Sequence, residues 1–420
     1  MVFNLRAGLL TTSTVLLLSA CSVQTPAITD KQLREAATLE LSAMFPAVQV
    51  VSGSLSLDDT VQRAVINNLD NRLSRLERSY ASRQVEVDSL DMLPVLAANA
   101  GYSRRSNDGY TTSQPLGSPV TNSFSRGSDA TIRTGDLSVS WNVLDFAMGY
   151  YNAQQAGNRA FIAEERARRA AMDVIRQAKG SYWRAYAAQD LSGRVGSNIE
   201  DAERVLDVIR AGESSGAVPA MQALEQSRVV LENIRQLEIA NQQLSRARIN
   251  LAQMVNVAPG QSFVLAGSRM GVPSVDQSLA ELEQLAFVQN PTIREQAYRE
   301  KIALSDVKKT TAELYPNLSA SAQMNYSSDD FLREGDWNTF GLNVGMNLLR
   351  LATARKRRGL AQEGVNLEQA RSLAVRMAVL AQTHIAYRDY QFARQQFDRT
   401  RELARVEASI AEQSRNREQA

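Results

Sequence analysis

The 420-residue chain is long enough for two or three ordinary domains. Its 47 Lys+Arg against 45 Asp+Glu leave a formal charge of +2, which excludes the basic signature of a nucleic-acid-binding protein, so nucleic acid is not an expected partner. Aromatics are only 6% while Ala, Gln, Leu, Arg and Glu recur in long stretches, the composition of extended helices rather than of a globular β core.

Residues 1–20 read as a signal peptide, with Arg6 followed by an apolar run from Leu9 to Leu18 that is too short to span a bilayer. The run ends in Leu18-Ser19-Ala20-Cys21, which looks like a bacterial lipobox and predicts acylation of Cys21, the single cysteine of the chain. Ser22 follows it, which favours the outer membrane by similarity to that class of lipoprotein, with residues 21–53 as the lipidated N-terminal segment. No later stretch carries about 18 consecutive apolar residues, so strands must make any crossing after the signal.

Two copies of one unit are expected, at residues 54–260 and 274–420, joined by a linker over 261–273. A shift of 222 residues brings Ser56-Leu57 onto Ser278-Leu279, Asn68 onto Asn290 and Pro94 onto Pro316. A shift of 205 brings Leu137, Val139, Asn142 and Leu144 onto Leu342, Val344, Asn347 and Leu349. The difference in register falls in Ser103 to Gly135, whose Ser, Thr, Gly and Asn content predicts a long exposed loop.

Four strands of roughly ten residues follow from alternation of apolar and polar residues, over about 94–102, 136–144, 316–326 and 338–348. One side is expected to face lipid, with Leu137, Val139, Trp141, Leu318, Met324, Leu342, Val344 and Met346. The other consists of small uncharged residues suited to a wet lumen: Ser138, Ser140, Asn142, Ser319, Ser321, Gln323, Asn325, Asn343 and Asn347. Tyr326, Trp337 and Phe340 at one end, with Tyr315 and Trp141 at the other, are compatible with two aromatic girdles. Four strands cannot close a barrel, and open edges are not tolerated in lipid, so subunits must combine.

After the first strand pair, a proline-free stretch from Asn152 to Arg210 predicts a long helix, weakened locally by Gly180, Gly193 and Gly196. A break over Gly212 to Pro219 precedes a return helix from Ala220 to about Val255. In the second copy a comparable helix is expected from near Ala352, without a return helix before Ala420.

A duplicated helix, strand, strand, helix unit behind a lipobox resembles the TolC family of outer-membrane factors. The residues that carry the likeness are Asn67-Asn68, Gln289-Asn290-Pro291, Leu93-Pro94, Tyr315-Pro316 and the run from Ser140 to Phe146, with Arg210, Gly212 and Ser215 similar to the family's hairpin tip. The resemblance implies an α+β, mostly helical fold and a homotrimer whose twelve-stranded transmembrane barrel continues as a long periplasmic α-helical barrel. It also implies a periplasmic adaptor protein and an inner-membrane transporter as partners, with docking at the Arg210, Gly212, Ser215 tip. Leu348-Leu349-Arg350-Leu351 departs from the family's usual Phe-Asp-Gly-Gly type of strand ending. A lipid-anchored periplasmic coiled coil without a pore is the competing reading.

Catalysis is not expected, and neither a cofactor nor a metal. His384 is the single histidine, so no pair of histidines forms within one chain. Gly212-Glu213-Ser214-Ser215-Gly216 matches G-x-S-x-G in letters, but that elbow requires a strand before it, and helices flank it on both sides. Asp58-Asp59 reads as a helix-start cap and Asp329-Asp330 as a loop-tip charge pair. Arg355-Lys356-Arg357-Arg358 sits near a helix start, where cations are mildly unfavourable, as a solvated face or a contact for anionic headgroups.

Overall fold

The computed structural model describes residues 27–44, 53–112, 124–258, 260–267 and 273–419. The predicted signal peptide and Cys21 lie outside the described residues. In chain order the elements are α1 (Asp30–Met44), β1 (Ser54–Leu55), α2 (Leu57–Asn67), α3 (Leu69–Leu90), β2 (Val95–Arg104), β3 (Gly109–Thr112), β4 (Phe124–Ser128) and β5 (Thr131–Asn142). There follow α4 (Val143–Ser214), α5 (Ala220–Met254), β6 (Val264–Leu265), α6 (Leu279–Gln289), α7 (Pro291–Ala312), β7 (Asn317–Ser327), β8 (Asp336–Gly345) and α8 (Leu348–Gln419). Among these, no helix is long and apolar enough to cross a membrane.

Duplication is visible in lengths and in caps. Helices α2 and α6 each have 11 residues, and α3 and α7 each have 22. At the start of α2, Ser56 Oγ accepts from the Asp59 backbone N–H (3.1 Å), while Asp59 accepts from the Ser56 backbone N–H (3.1 Å). Ser278 and Glu281 repeat this reciprocal capping box at α6 (3.3 and 2.7 Å). Asn68 and Asn290 then cap α3 and α7 by accepting from the backbone N–H of Asn71 (3.1 Å) and Thr292 (2.8 Å).

The contacts divide the chain into two units, which cut across the repeats. The first comprises residues up to 63 and 180–267. Its core gathers Leu55, Leu57, Tyr182, Leu251, Val255, Phe263 and Leu265 around the short parallel pair β1–β6. Strand β6 lies inside the expected 261–273 linker, held there because the Gln189 side chain donates to Leu265 O (3.1 Å) and accepts from Leu265 N (2.8 Å). Fully buried Tyr182 donates its hydroxyl to Ala266 O.

The second unit, residues 64–179 with 268–420, carries the sheet β2-β5-β7-β8, antiparallel throughout. Here α4 packs on α7 through an interlocked ion cluster. Glu165 accepts from Arg294 (2.6 Å), and Glu295 accepts from Arg166 (3.0 Å) and Arg299 (2.8 Å), with both carboxylates buried. Burial works to raise the Glu295 pKa. Hydrogen bonds from Arg299 and Arg166, with the charges of Arg166 and Arg169, outweigh burial and hold the carboxyl below its ordinary range.

Helix boundaries differ from expectation at the strand ends. The first long helix starts directly where β5 stops, nine residues before Asn152, and the second starts at Leu348 after Met346 and Asn347, four residues before Ala352. Helix α4 stays continuous through Gly180, Gly193 and Gly196. Gly149 in its first turns lies against the chain entering β2, where an added Cβ would come within 3.0 Å of the Asp91 backbone. The expected Ser103 to Gly135 loop is also shorter than composition suggests. Strands β2 and β5 run into it, and it holds the hairpin β3–β4.

Candidate functional site

The four-stranded sheet gathers most of the residues singled out in the sequence. Directly opposed residues of an antiparallel pair share a face, so the register fixes each side. Leu96 pairs with Val139, Val139 with Ala322, and Ala322 with Phe340. Leu137, Val139, Trp141, Leu318, Met324, Leu342 and Val344 therefore share one face. On the opposite face Ser138 pairs with Gln323, Ser140 with Ser321, Asn142 with Ser319, and Ser319 with Asn343.

The apolar face is uncovered. Phe340 is 81% exposed, Leu342 74% and Val344 74%, and Leu96 on the opposite edge 68%. That surface is too apolar to face water without cost, at roughly 25 cal/mol per Å². The edges are open as well, since β2 and β8 each hydrogen-bond on one side only.

Three expected positions take other roles. Asn142 ends β5, and its Oδ1 accepts from the backbone N–H of Leu144 (2.9 Å) and Asp145 (3.2 Å). Asn347, its partner under the 205 shift, lies two residues beyond β8 and accepts from Arg350 N (3.1 Å). Both amides cap the long helices, which is how α8 begins at once on Leu348-Leu349 despite the unusual sequence there. Met346 also lies past the end of β8. Among the proposed girdle residues, Trp337 pairs with Asn325 and so belongs to the polar face, away from Tyr326 and Phe340.

Polar-face residues that were not foreseen include Asn99, Thr134, Asp136 and Thr339. Asp136 pairs with Asn99 on one side and Asn325 on the other, and accepts a hydrogen bond from Asn99 Nδ2 (2.9 Å). The alternation ending in Leu137 and Ser138 extends back to both Asp136 and Thr134, a signal hidden by the loop-like composition around them. At the loop end the turns lock together: the Asp329 carboxylate accepts from Asp129 N (3.2 Å), and the Asp129 carboxylate accepts from Asp330 N (2.9 Å). The Asp329-Asp330 pair is thus a turn-to-turn clasp.

The helical hairpin tip is exposed and tight. Gly212 O accepts from Val218 N (3.1 Å) and from the Ser215 hydroxyl (3.1 Å), Arg210 pairs with Asp207 (3.6 Å), and Gly216 has φ +74°. Ser214 ends helix α4, without the preceding strand a nucleophile elbow needs. His384 meets Glu283 at 2.7 Å on the surface between α8 and α6.

The described strands thus present a two-faced antiparallel sheet with open edges. The chain is 27% identical over 306 residues to the pyoverdine export outer membrane protein OpmQ of Pseudomonas aeruginosa, covering 71% of this chain and 61% of that protein. It is 24% identical over 395 residues to the probable outer membrane lipoprotein SilC of Salmonella typhimurium, covering 88% and 80%. Its fold matches the outer-membrane channel OprN (TM-score 0.60, 18% identity, 81% of this chain and 75% of that one). It also matches the MtrE channel of Neisseria gonorrhoeae (0.59, 17% identity, 82% and 74%). No family model matches the sequence. The two relatives are named as outer-membrane proteins, and the matched folds are those of outer-membrane channels.

Proposed function

We propose that the protein is one subunit of a homotrimeric outer-membrane channel, anchored by acylated Cys21, that passes small solutes outward from a periplasmic adaptor and an inner-membrane transporter. The observation that carries this reading is the register-enforced division of the sheet into a polar face of Ser, Asn and Gln and an exposed apolar face, between two open edges. Lipid cannot satisfy those edges, and three copies would close them in a twelve-stranded barrel. The apolar face then meets outer-membrane lipid and the polar face lines the lumen. Adaptor docking is assigned to the exposed tip at Arg210, Gly212 and Ser215. Passage is passive, with selectivity set by width and wall polarity. OpmQ is named for pyoverdine export, which favours small-molecule efflux over protein secretion.

Reconstitution into planar bilayers tests this. Stepwise conductance from a three-chain species, measured alongside its native mass, is the expected result. A water-soluble, non-conducting protein after Cys21→Ala would instead make it an anchored periplasmic coiled coil.

A further inference from the structure

The duplication supplies one complete junction inside each chain and two halves of a second one. In the complete junction β5 pairs with β7, and α4, leaving β5, packs on α7, arriving at β7. Lys309 Nζ donates to Asn152 Oδ1 (2.7 Å), Gln155 Nε2 donates to Asp306 (2.6 Å), and the Phe161 and Tyr298 rings stack at 5.0 Å. The halves are α8, leaving edge strand β8, and α3, arriving at edge strand β2.

Because the Asn caps match in both copies, the same shifts carry the inner junction onto the outer one. Asn152 becomes Arg357, and Lys309 becomes Val87, flanked by Glu86 and Asp88. Gln155 becomes Leu360, and Ile302 becomes Tyr80, which are 76% and 72% exposed. Side chains left bare on α8 and α3 thus fall where the inner junction makes its contacts.

Charge placement adds an independent argument. The inner junction obeys the helix dipole, with Asp145 in the first turn of α4 and Lys309 in the last turn of α7. At the outer junction both ends are reversed. Arg350, Arg355, Lys356, Arg357 and Arg358 crowd the start of α8 with no acid from Leu348 to Gln362. Glu86, Asp88 and Asp91 crowd the end of α3, whose last turn has no basic residue. Neither group has an ion-pair partner among the described residues. Arg350 and Asp88 oppose the dipoles of their own helices, and the two clusters are complementary in charge to each other.

We propose that the basic run Arg355 to Arg358 docks on Glu86, Asp88 and Asp91 of a second copy of this chain as β8 of one copy pairs with β2 of the next, and that this ionic clasp fixes the order and register of the junction. The inference rests on the barrel closure given above, and names the contact that specifies it.

The test uses full-length protein in detergent. Asp88→Cys combined with Arg357→Cys, treated with a short bis-maleimide, is expected to give products of two and three chains by mass. Asp88→Arg is expected to lower the heat resistance of the assembly, and adding Arg357→Glu to restore most of it. A three-chain assembly that gives no cross-chain product and no rescue overturns the clasp and leaves the channel intact. An unmodified protein that never associates overturns both. If Arg357→Glu leaves heat resistance unchanged but abolishes binding to phosphatidylglycerol vesicles, the run belongs to lipid headgroups and the clasp is wrong.

Discussion

Helices α2, α3, α4, α6, α7 and α8 are each started by a side chain, and the two matching sets use the same chemistry. Ser56 and Ser278, Asn68 and Asn290, Asn142 and Asn347 all accept from orphan N–H groups. Replacing Ser278 by Ala is expected to cost about 1 kcal/mol, and Ser278→Asp to keep most of it, read by thermal or denaturant unfolding. Glu295 makes stability depend on pH. Its folded pKa lies below its unfolded one, so its contribution is complete above the unfolded carboxylate range and is lost as pH falls through the folded value. Glu295→Gln is expected to lower the melting temperature at neutral pH and to flatten the acid limb of the stability profile. The caps were only partly legible in the sequence. Asp58-Asp59 was readable as a helix start, whereas Asn142 and Asn347 fit the polar rhythm of their strands equally well, and only the three-dimensional path shows their amides turned to the next helix.

At the scale of elements, the strands were legible because alternation is local, and the register then shows which residues share a side of the sheet. Trp337 was grouped with Phe340 by nearness along the chain, although odd and even positions of one strand point to opposite sides. The β3–β4 hairpin was hidden for another reason: its strands are only four and five residues long and sit among Ser and Gly, whose density reads as loop, and only cross-strand pairing defines them. The two faces predict opposite responses to one substitution. Leu342→Arg, on the apolar face of β8, is expected to cost about 2 to 4 kcal/mol of folding in bilayers if it sits near midplane. Gln323→Arg, on the polar face, is expected to fold normally and to shift ion selectivity toward anions. Asp136→Asn is expected to lower cation preference without loss of assembly, measured as reversal potentials in a salt gradient.

For the whole molecule, the helices and the sheet make complementary demands. Long helices bury one stripe each and leave Leu73, Leu76 and Tyr80 on α3 and Leu360 and Leu367 on α8 exposed, while the sheet leaves two unpaired edges beside them. The proposed association of copies around the sheet would meet both deficits at once. The resemblance to a known family and the internal repeat made the order of helices and strands readable from sequence; the residues at the outer junction emerged only when the inner junction served as a template. The sheet is proposed as a channel wall with one wet and one lipid face. Single cysteines placed in turn at positions 318 to 325 of the Cys21→Ser protein, reconstituted in vesicles and probed with a membrane-impermeant maleimide, test it most directly. Labelling at 319, 321, 323 and 325 with protection at 318, 320, 322 and 324 is the predicted result. Uniform labelling along the strand would contradict the account.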